Sequence, residues 1–146
     1  MILKFLIIIG VVYFSILIFL FVFQRNILFV PDRSAPSLTE TNVPEMSEVN
    51  IETKDELSLT SWFYRGKVEK PLIIYFQGNA GNISDRDYKA RFLIDNDYSV
   101  LLLGYRGYGG NKGQPSEEGL RKDGEAALEF AKREGFEASN IILYGE

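Results

Sequence analysis

From Ile2 to Phe23 the chain runs about 22 residues in which Lys4 is the only charge, and Ser15 and the Tyr13 hydroxyl are the only other polar side-chain groups. At 1.5 Å per residue a helix of that length spans about 33 Å, the depth of a bilayer core. A cleaved signal peptide would need a shorter apolar core ending in small residues, whereas Phe19 to Phe23 is bulky throughout. A soluble amphipathic helix would need a polar face, and this stretch has none. Residues 1–24 therefore read as a single-pass, N-terminal signal anchor, with the lipid bilayer as partner of residues 2–23. Lys4 and the terminal amine before the span nearly balance Arg25 and Arg33 after it, so the charge rule leans only weakly towards a cytoplasmic N-terminus and an extracytoplasmic soluble part.

Residues 25–47 hold three prolines among Ser, Thr and Asn without an apolar period, which predicts a linker lifting the domain off the membrane. Residues 48–146 hold the folded part. Val49 to Ile51 and Leu57 to Trp62 alternate apolar and polar side chains around Lys54-Asp55-Glu56, predicting an antiparallel hairpin. Then come short continuous apolar runs, Leu72 to Phe76, Val100 to Leu103 and Ile141 to Tyr144, as expected of parallel strands buried on both faces. Helical stretches separate them. The first is capped by Asn82 or Ser84, with Ser84 and Asp87 spaced as a capping box. The second starts at Pro115-Ser116, carries Leu120, Ala127, Leu128 and Ala131 on one stripe, and ends near Gly135. Strand, helix, strand, helix, strand is the order of an α/β fold.

Several chemistries are excluded by composition. The chain has no cysteine and no histidine, so it holds neither a thiolate nucleophile nor an imidazole base, and no metal or cofactor is implied. Beyond Arg33 acidic residues outnumber basic ones, which argues against nucleic-acid binding.

Two glycine-bearing loops remain. The strand Leu72 to Phe76 leads into Gln77-Gly78-Asn79-Ala80-Gly81-Asn82, a turn ahead of a helix where backbone N–H groups gather and an anion can sit. Its spacing matches neither a dinucleotide fingerprint nor a phosphate loop, and a purely structural turn is the plain alternative. The strand Val100 to Leu103 leads into Gly104-Tyr105-Arg106-Gly107-Tyr108-Gly109-Gly110, followed by Gly113-Gln114-Pro115-Ser116. Arg106 reads as a tie between loop backbone and nearby carboxylates rather than a substrate clamp, Tyr105 and Tyr108 as loop packing, and Ser84 and Ser116 as helix caps.

Taken together behind one N-terminal span, these motifs resemble the membrane-anchored α/β-hydrolases of the bud-emergence-suppressor or ABHD type. That family pairs a His-Gly-Asn-Ala-Gly-Asn turn with an Asp-Tyr-Arg-Gly-Tyr-Gly loop and a Gly-x-Pro-Ser helix start. The resemblance implies the N-terminal half of an α/β-hydrolase fold and, in full-length relatives, a serine hydrolase of ester, thioester or amide bonds. It implies a G-x-S-x-G elbow next, of which Gly145-Glu146 would be the first two positions. With the serine, the later acid and the histidine all lacking, the expectation is a truncated, inactive member with no catalytic residue of its own. The same resemblance makes the backbone N–H of Asn79 or Ala80 the remnant of an oxyanion hole, with Gln77, Gly78, Tyr105 and Arg106 lining the site. Gln77 replaces the family's histidine and Gly104 its aspartate, which fits drift after loss of function. A non-enzymatic, membrane-tethered binding module, or one half of a split hydrolase completed by a C-terminal chain, are the alternatives.

Overall fold

The computed structural model describes residues 2–146, which divide into two compact units at Val30 and Pro31. The first is a helix, α1 (Ile2–Leu28), with no buried residue and a mean hydropathy of 3.1 over its most apolar window. It is long and apolar enough to cross a membrane, and its composition leaves no polar face to rest on water.

The second unit is a five-stranded mixed sheet. Strands β1 (Ser47–Glu52) and β2 (Ser58–Tyr64) form the expected hairpin, turning through Glu56, which takes a positive φ of 65°. The continuous apolar runs become β3 (Leu72–Phe76), β4 (Ser99–Leu103) and β5 (Ile141–Gly145). The spatial order is β1-β2-β4-β3-β5. The hairpin pairs antiparallel to β4, while β4, β3 and β5 run parallel.

Alternation along the strands sorts side chains to two layers. On one face Trp62, Tyr75, Val100 and Leu102 meet Ala90 and Ile94 of helix α2 (Asp87–Asp95). On the other, Phe63 stacks edge-on against Phe130 of helix α3 (Glu117–Arg133), and Phe76 packs at Gly124. The stripe that α3 buries runs through Gly119, Asp123, Ala126, Ala127, Phe130 and Ala131, so a carboxylate sits within it. Ser116 caps α3 by accepting the Gly119 N–H at 3.1 Å.

Three expectations are revised. β5, expected to be buried on both faces, is an edge strand whose Ile142, Leu143 and Tyr144 are exposed. The capping box before α2 is formed by Asn82 and Asp85, not Ser84 and Asp87: Asn82 Oδ1 accepts the Ser84 N–H, and Asp85 Oδ2 accepts the Asn82 N–H at 2.9 Å. The segment expected as a linker lies against the domain from Pro31 onwards. Val43 and Met46 enter the core beside Trp62, and Asp87 accepts hydrogen bonds from the backbone and side chain of Asn42. Proline-rich composition signals irregular backbone, and here that backbone is fixed by two apolar anchors about a single turn apart.

Candidate active site

Loops at the C-terminal ends of parallel strands converge in open α/β sheets, and here those of β3 and β4 do so beside the end of β5. The Gln77–Asn82 turn leaves the end of β3. Gly81 sits at φ 75°, and a Cβ there would stand 2.2 Å from the Asp85 carboxylate, so both backbone and space require glycine. Asn82 anchors the turn's far end: its amide donates to Asp32 Oδ2 at 2.9 Å while its Oδ1 caps the following helix. Asp32 in turn donates its N–H to Gly81 O and accepts the Gly109 N–H, joining the two glycine loops. Ser34 and Asn82 hydrogen bonds, the Ser34 N–H foremost, hold the Asp32 carboxyl below its ordinary range.

The crest of the turn, Asn79 and Ala80, is exposed. Tyr108 reaches under it, donating its hydroxyl to Asn79 O at 2.9 Å, and its ring meets Tyr105 edge-on. Tyr105 is buried, and burial raises its phenol well above the ordinary value, so it is not a proton donor to solvent at neutral pH.

Arg106 lies away from the turn, with its side chain buried between two carboxylates. Its Nε donates to Asp123 Oδ1 at 2.8 Å, its backbone N–H to Asp123 Oδ2 at 3.0 Å, and its Nη1 and Nη2 to Asp55 at 2.8 and 3.1 Å. All three guanidinium nitrogens are engaged, which is the structural tie that the sequence suggested. The Arg106 hydrogen bonds hold Asp55 well below the usual carboxylate range.

Gln77 and Gly104, the two departures from the family's motif, line the same small space with Thr60 and Asn111. A Cβ on Gly104 would stand 2.0 Å from Thr60 O, so the aspartate of the motif has no room here. Gln77 is buried, and neither its amide nitrogen nor its oxygen has a hydrogen-bond partner among the described residues. The space beside it does not admit a water molecule. A dry, unpaired amide destabilises a fold by about 1–3 kcal/mol. Gln77→Met, equal in length and without the amide, is therefore expected to raise stability by about 1–2 kcal/mol in a denaturant melt; an unchanged or lower midpoint would show that the amide has a partner in solution.

The arrangement not visible in the sequence gathers at Glu146. Its backbone N–H donates to Phe76 O at 3.1 Å, continuing the β3–β5 ladder. Its carboxylate accepts the Gly78 N–H at 3.1 Å, Arg86 Nε at 2.9 Å and Lys89 Nζ at 2.9 Å, and Lys89 also reaches the Tyr75 hydroxyl. The only local signal was the three-residue spacing of Arg86 and Lys89. Their common partner lies 57 or more residues away.

No family model matches the chain. Among curated proteins it is 32% identical over 132 residues to the alpha/beta hydrolase domain-containing protein WAV2 of Arabidopsis thaliana, covering 84% of this chain and 43% of that protein. It is 34% identical over 99 residues to protein bem46 of Schizosaccharomyces pombe, covering 64% and 33%. The chain thus spans half or less of the length of the curated relatives it matches. Among solved structures, the Pyrococcus furiosus esterase Pf2001 superposes with a TM-score of 0.65 at 20% identity over 81% of this chain and 46% of that one. An alpha-beta hydrolase from Vibrio vulnificus gives 0.64 at 23% identity over 76% and 41%. At these identities the structural likeness speaks for the fold.

Proposed function

Because the chain belongs to the α/β-hydrolase family, we propose that residues 31–146 carry the oxyanion-turn half of the catalytic domain of a membrane-anchored serine hydrolase, acting on ester, thioester or amide bonds. One observation carries the reading. The Gln77–Asn82 turn and the end of β5 stand side by side, joined by the Phe76–Glu146 and Gly78–Glu146 hydrogen bonds. In this fold a nucleophile elbow follows such a strand, and turn N–H groups face the carbonyl oxygen as it gains charge. Asn79 or Ala80 supplies that donor in this reading, with Gln77 and Gly78 supporting the turn; Tyr105 and Arg106 shape the neighbouring loop.

In this reading the histidine base comes from outside these 146 residues, which hold no histidine, and the serine and acid come with it. The sheet supports this. β5 is an edge strand whose Ile142, Leu143 and Tyr144 are each more than two-fifths exposed, and Tyr88 and Phe92 of α2 are exposed in the same unit. Such apolar strand surface is covered in stable domains, here by further polypeptide. The same feature favours a second source of that cover, a separate chain bearing the serine.

A fluorophosphonate probe on native membranes tests the proposal. The 146-residue chain alone is expected to stay unlabelled, and label is expected on a longer product or on a copurifying second chain that carries a serine elbow. Labelling of the 146-residue chain itself, or no label in any species, would overturn the reading, the latter in favour of a tethered binding module.

A further inference from the structure

The carboxylate of Glu146 is gripped from three directions, and that grip joins three parts of the site. Gly78 N–H belongs to the turn, Arg86 and Lys89 to the helical segment that the turn introduces, and Glu146 to the end of β5. We propose that Glu146 is a positioning residue: its carboxylate clasps the strand end to the turn and the helix, fixing how deep the turn's N–H donors sit relative to the C-terminal end of β5. This role rests on the hydrolase reading for its purpose, but the clasp is a physical claim about this chain and stands or falls separately.

Three features set the clasp apart from a surface ion pair. Both cations are largely covered, Arg86 at 14% and Lys89 at 24% side-chain exposure, so their charges are less screened than at an open surface. The acceptor takes a backbone N–H as well as the two charges, which fixes distance along the turn and not merely attraction. Lys89 is itself located by the Tyr75 hydroxyl on β3, a residue 1% exposed. The clasp therefore hangs from the core. Since misplacement of about 1 Å can cost about a hundred-fold in rate, a residue that sets this spacing acts on catalysis without touching substrate.

The groups that face the carboxylate are Gly78 on the turn, Arg86 and Lys89 on the helical side, and Tyr75 from β3; Arg86 also lies 3.5 Å from Asp85. The hydrogen bond from Lys89, with those from Arg86 and Gly78, lowers the Glu146 carboxyl to about 2 from the ordinary 4.5. The folded value lies below the unfolded one, so the clasp is complete above about 4.5 and is lost as the pH falls through about 2.

The test uses the whole chain in lipid nanodiscs, labelled with 15N-glycine, which leaves only 13 backbone signals to resolve. Glu146→Ala is expected to speed hydrogen exchange at Gly78 at least tenfold while leaving Gly135, remote on the chain beyond α3, unchanged. Arg86→Ala combined with Lys89→Ala should do the same, and adding Glu146→Ala to that pair should add little. Glu146→Gln should recover part of the protection, because its carbonyl oxygen still accepts the Gly78 N–H. In the unsubstituted protein the Gly78 amide resonance should hold steady from pH 7 to about 3. Unchanged Gly78 exchange in Glu146→Ala, equal acceleration at all glycines, or a Gly78 inflection near 4.5 would each overturn the clasp. None of these readouts depends on fluorophosphonate labelling, so loss of the hydrolase reading and loss of the clasp are distinguishable.

Discussion

Arg106→Ala is expected to lower the unfolding free energy of the sheet domain by about 3–5 kcal/mol, the cost of leaving a buried carboxylate without its partner. Asp123 is 0% exposed, and without the guanidinium it keeps only the Arg106 backbone N–H. Domains of this size are stable by about 5–15 kcal/mol in all, so the substitution removes a large share. Three segments come apart together: the hairpin turn at Asp55, the loop after β4, and α3. Arg106→Lys should recover little, because a single ammonium cannot span both carboxylates. Asp55→Ala should cost only about 1 kcal/mol, since that side chain is a third exposed and solvent screens it. Urea melts followed by the fluorescence of Trp62, the single tryptophan and fully buried, measure all three. A loss below about 1 kcal/mol for Arg106→Ala would mean that Asp123 finds water or a proton more readily than its burial allows.

The second large effect is expected at Gly104, where alanine should cost about 3 kcal/mol through overpacking against backbone. The new Cβ would stand 2.0 Å from Thr60 O and 2.7 Å from Asn111 Nδ2. Thr60 exchanges two hydrogen bonds with the Asn111 side chain, which takes the place of a strand partner there. The Thr60 carbonyl is main chain and cannot rotate aside, so β2 must shift or the Asn111 pair must break. Gly104→Asp adds a buried charge to the same clash and should be worse. Asn111→Ala separates the causes: if it costs as much as Gly104→Ala, the lost pair dominates, and if much less, the clash does. A Gly104→Ala protein that melts with the parent would show that β2 and β4 can part at this end without penalty.

How far these features could be read from the sequence varied with their range along the chain. The strands were legible because burial on both faces leaves an uninterrupted apolar run at Leu72–Phe76 and Val100–Leu103, a pattern that needs no partner to be seen. The hairpin was legible from alternation, and α3 from Ser116 at one end and Gly135 at the other. Asp123 was not, because a charge on an apolar stripe looks like an interruption until Arg106, 17 residues away, is known to face it. The role of residues 31–47 was hidden for a related reason. Val43 and Met46 are isolated apolar residues in a polar stretch, and only the tertiary pocket beside Trp62 makes them core. For the site, the turn and its glycines carried a local signature, whereas the Glu146 clasp draws on residues from three segments and leaves no periodic trace. The misplaced capping box shows the limit within one turn of helix: Asn82 and Ser84 are both good caps, and the choice went to Asn82, whose amide also reaches Asp32.

The strand order carries a consequence for how the domain is made. β2 does not pair with β3, which follows it in the chain, but with β4, so that Trp62 lies opposite Leu102. About 40 residues must leave the ribosome between the two, which at ordinary synthesis rates takes about 2–8 s. Throughout that interval the β2 edge of the hairpin lies open, with Trp62 uncovered on one face and Phe63 on the other. Nascent-chain survival in the cell thus depends on how that edge is shielded until β4 arrives, a vulnerability of synthesis that equilibrium stability does not report.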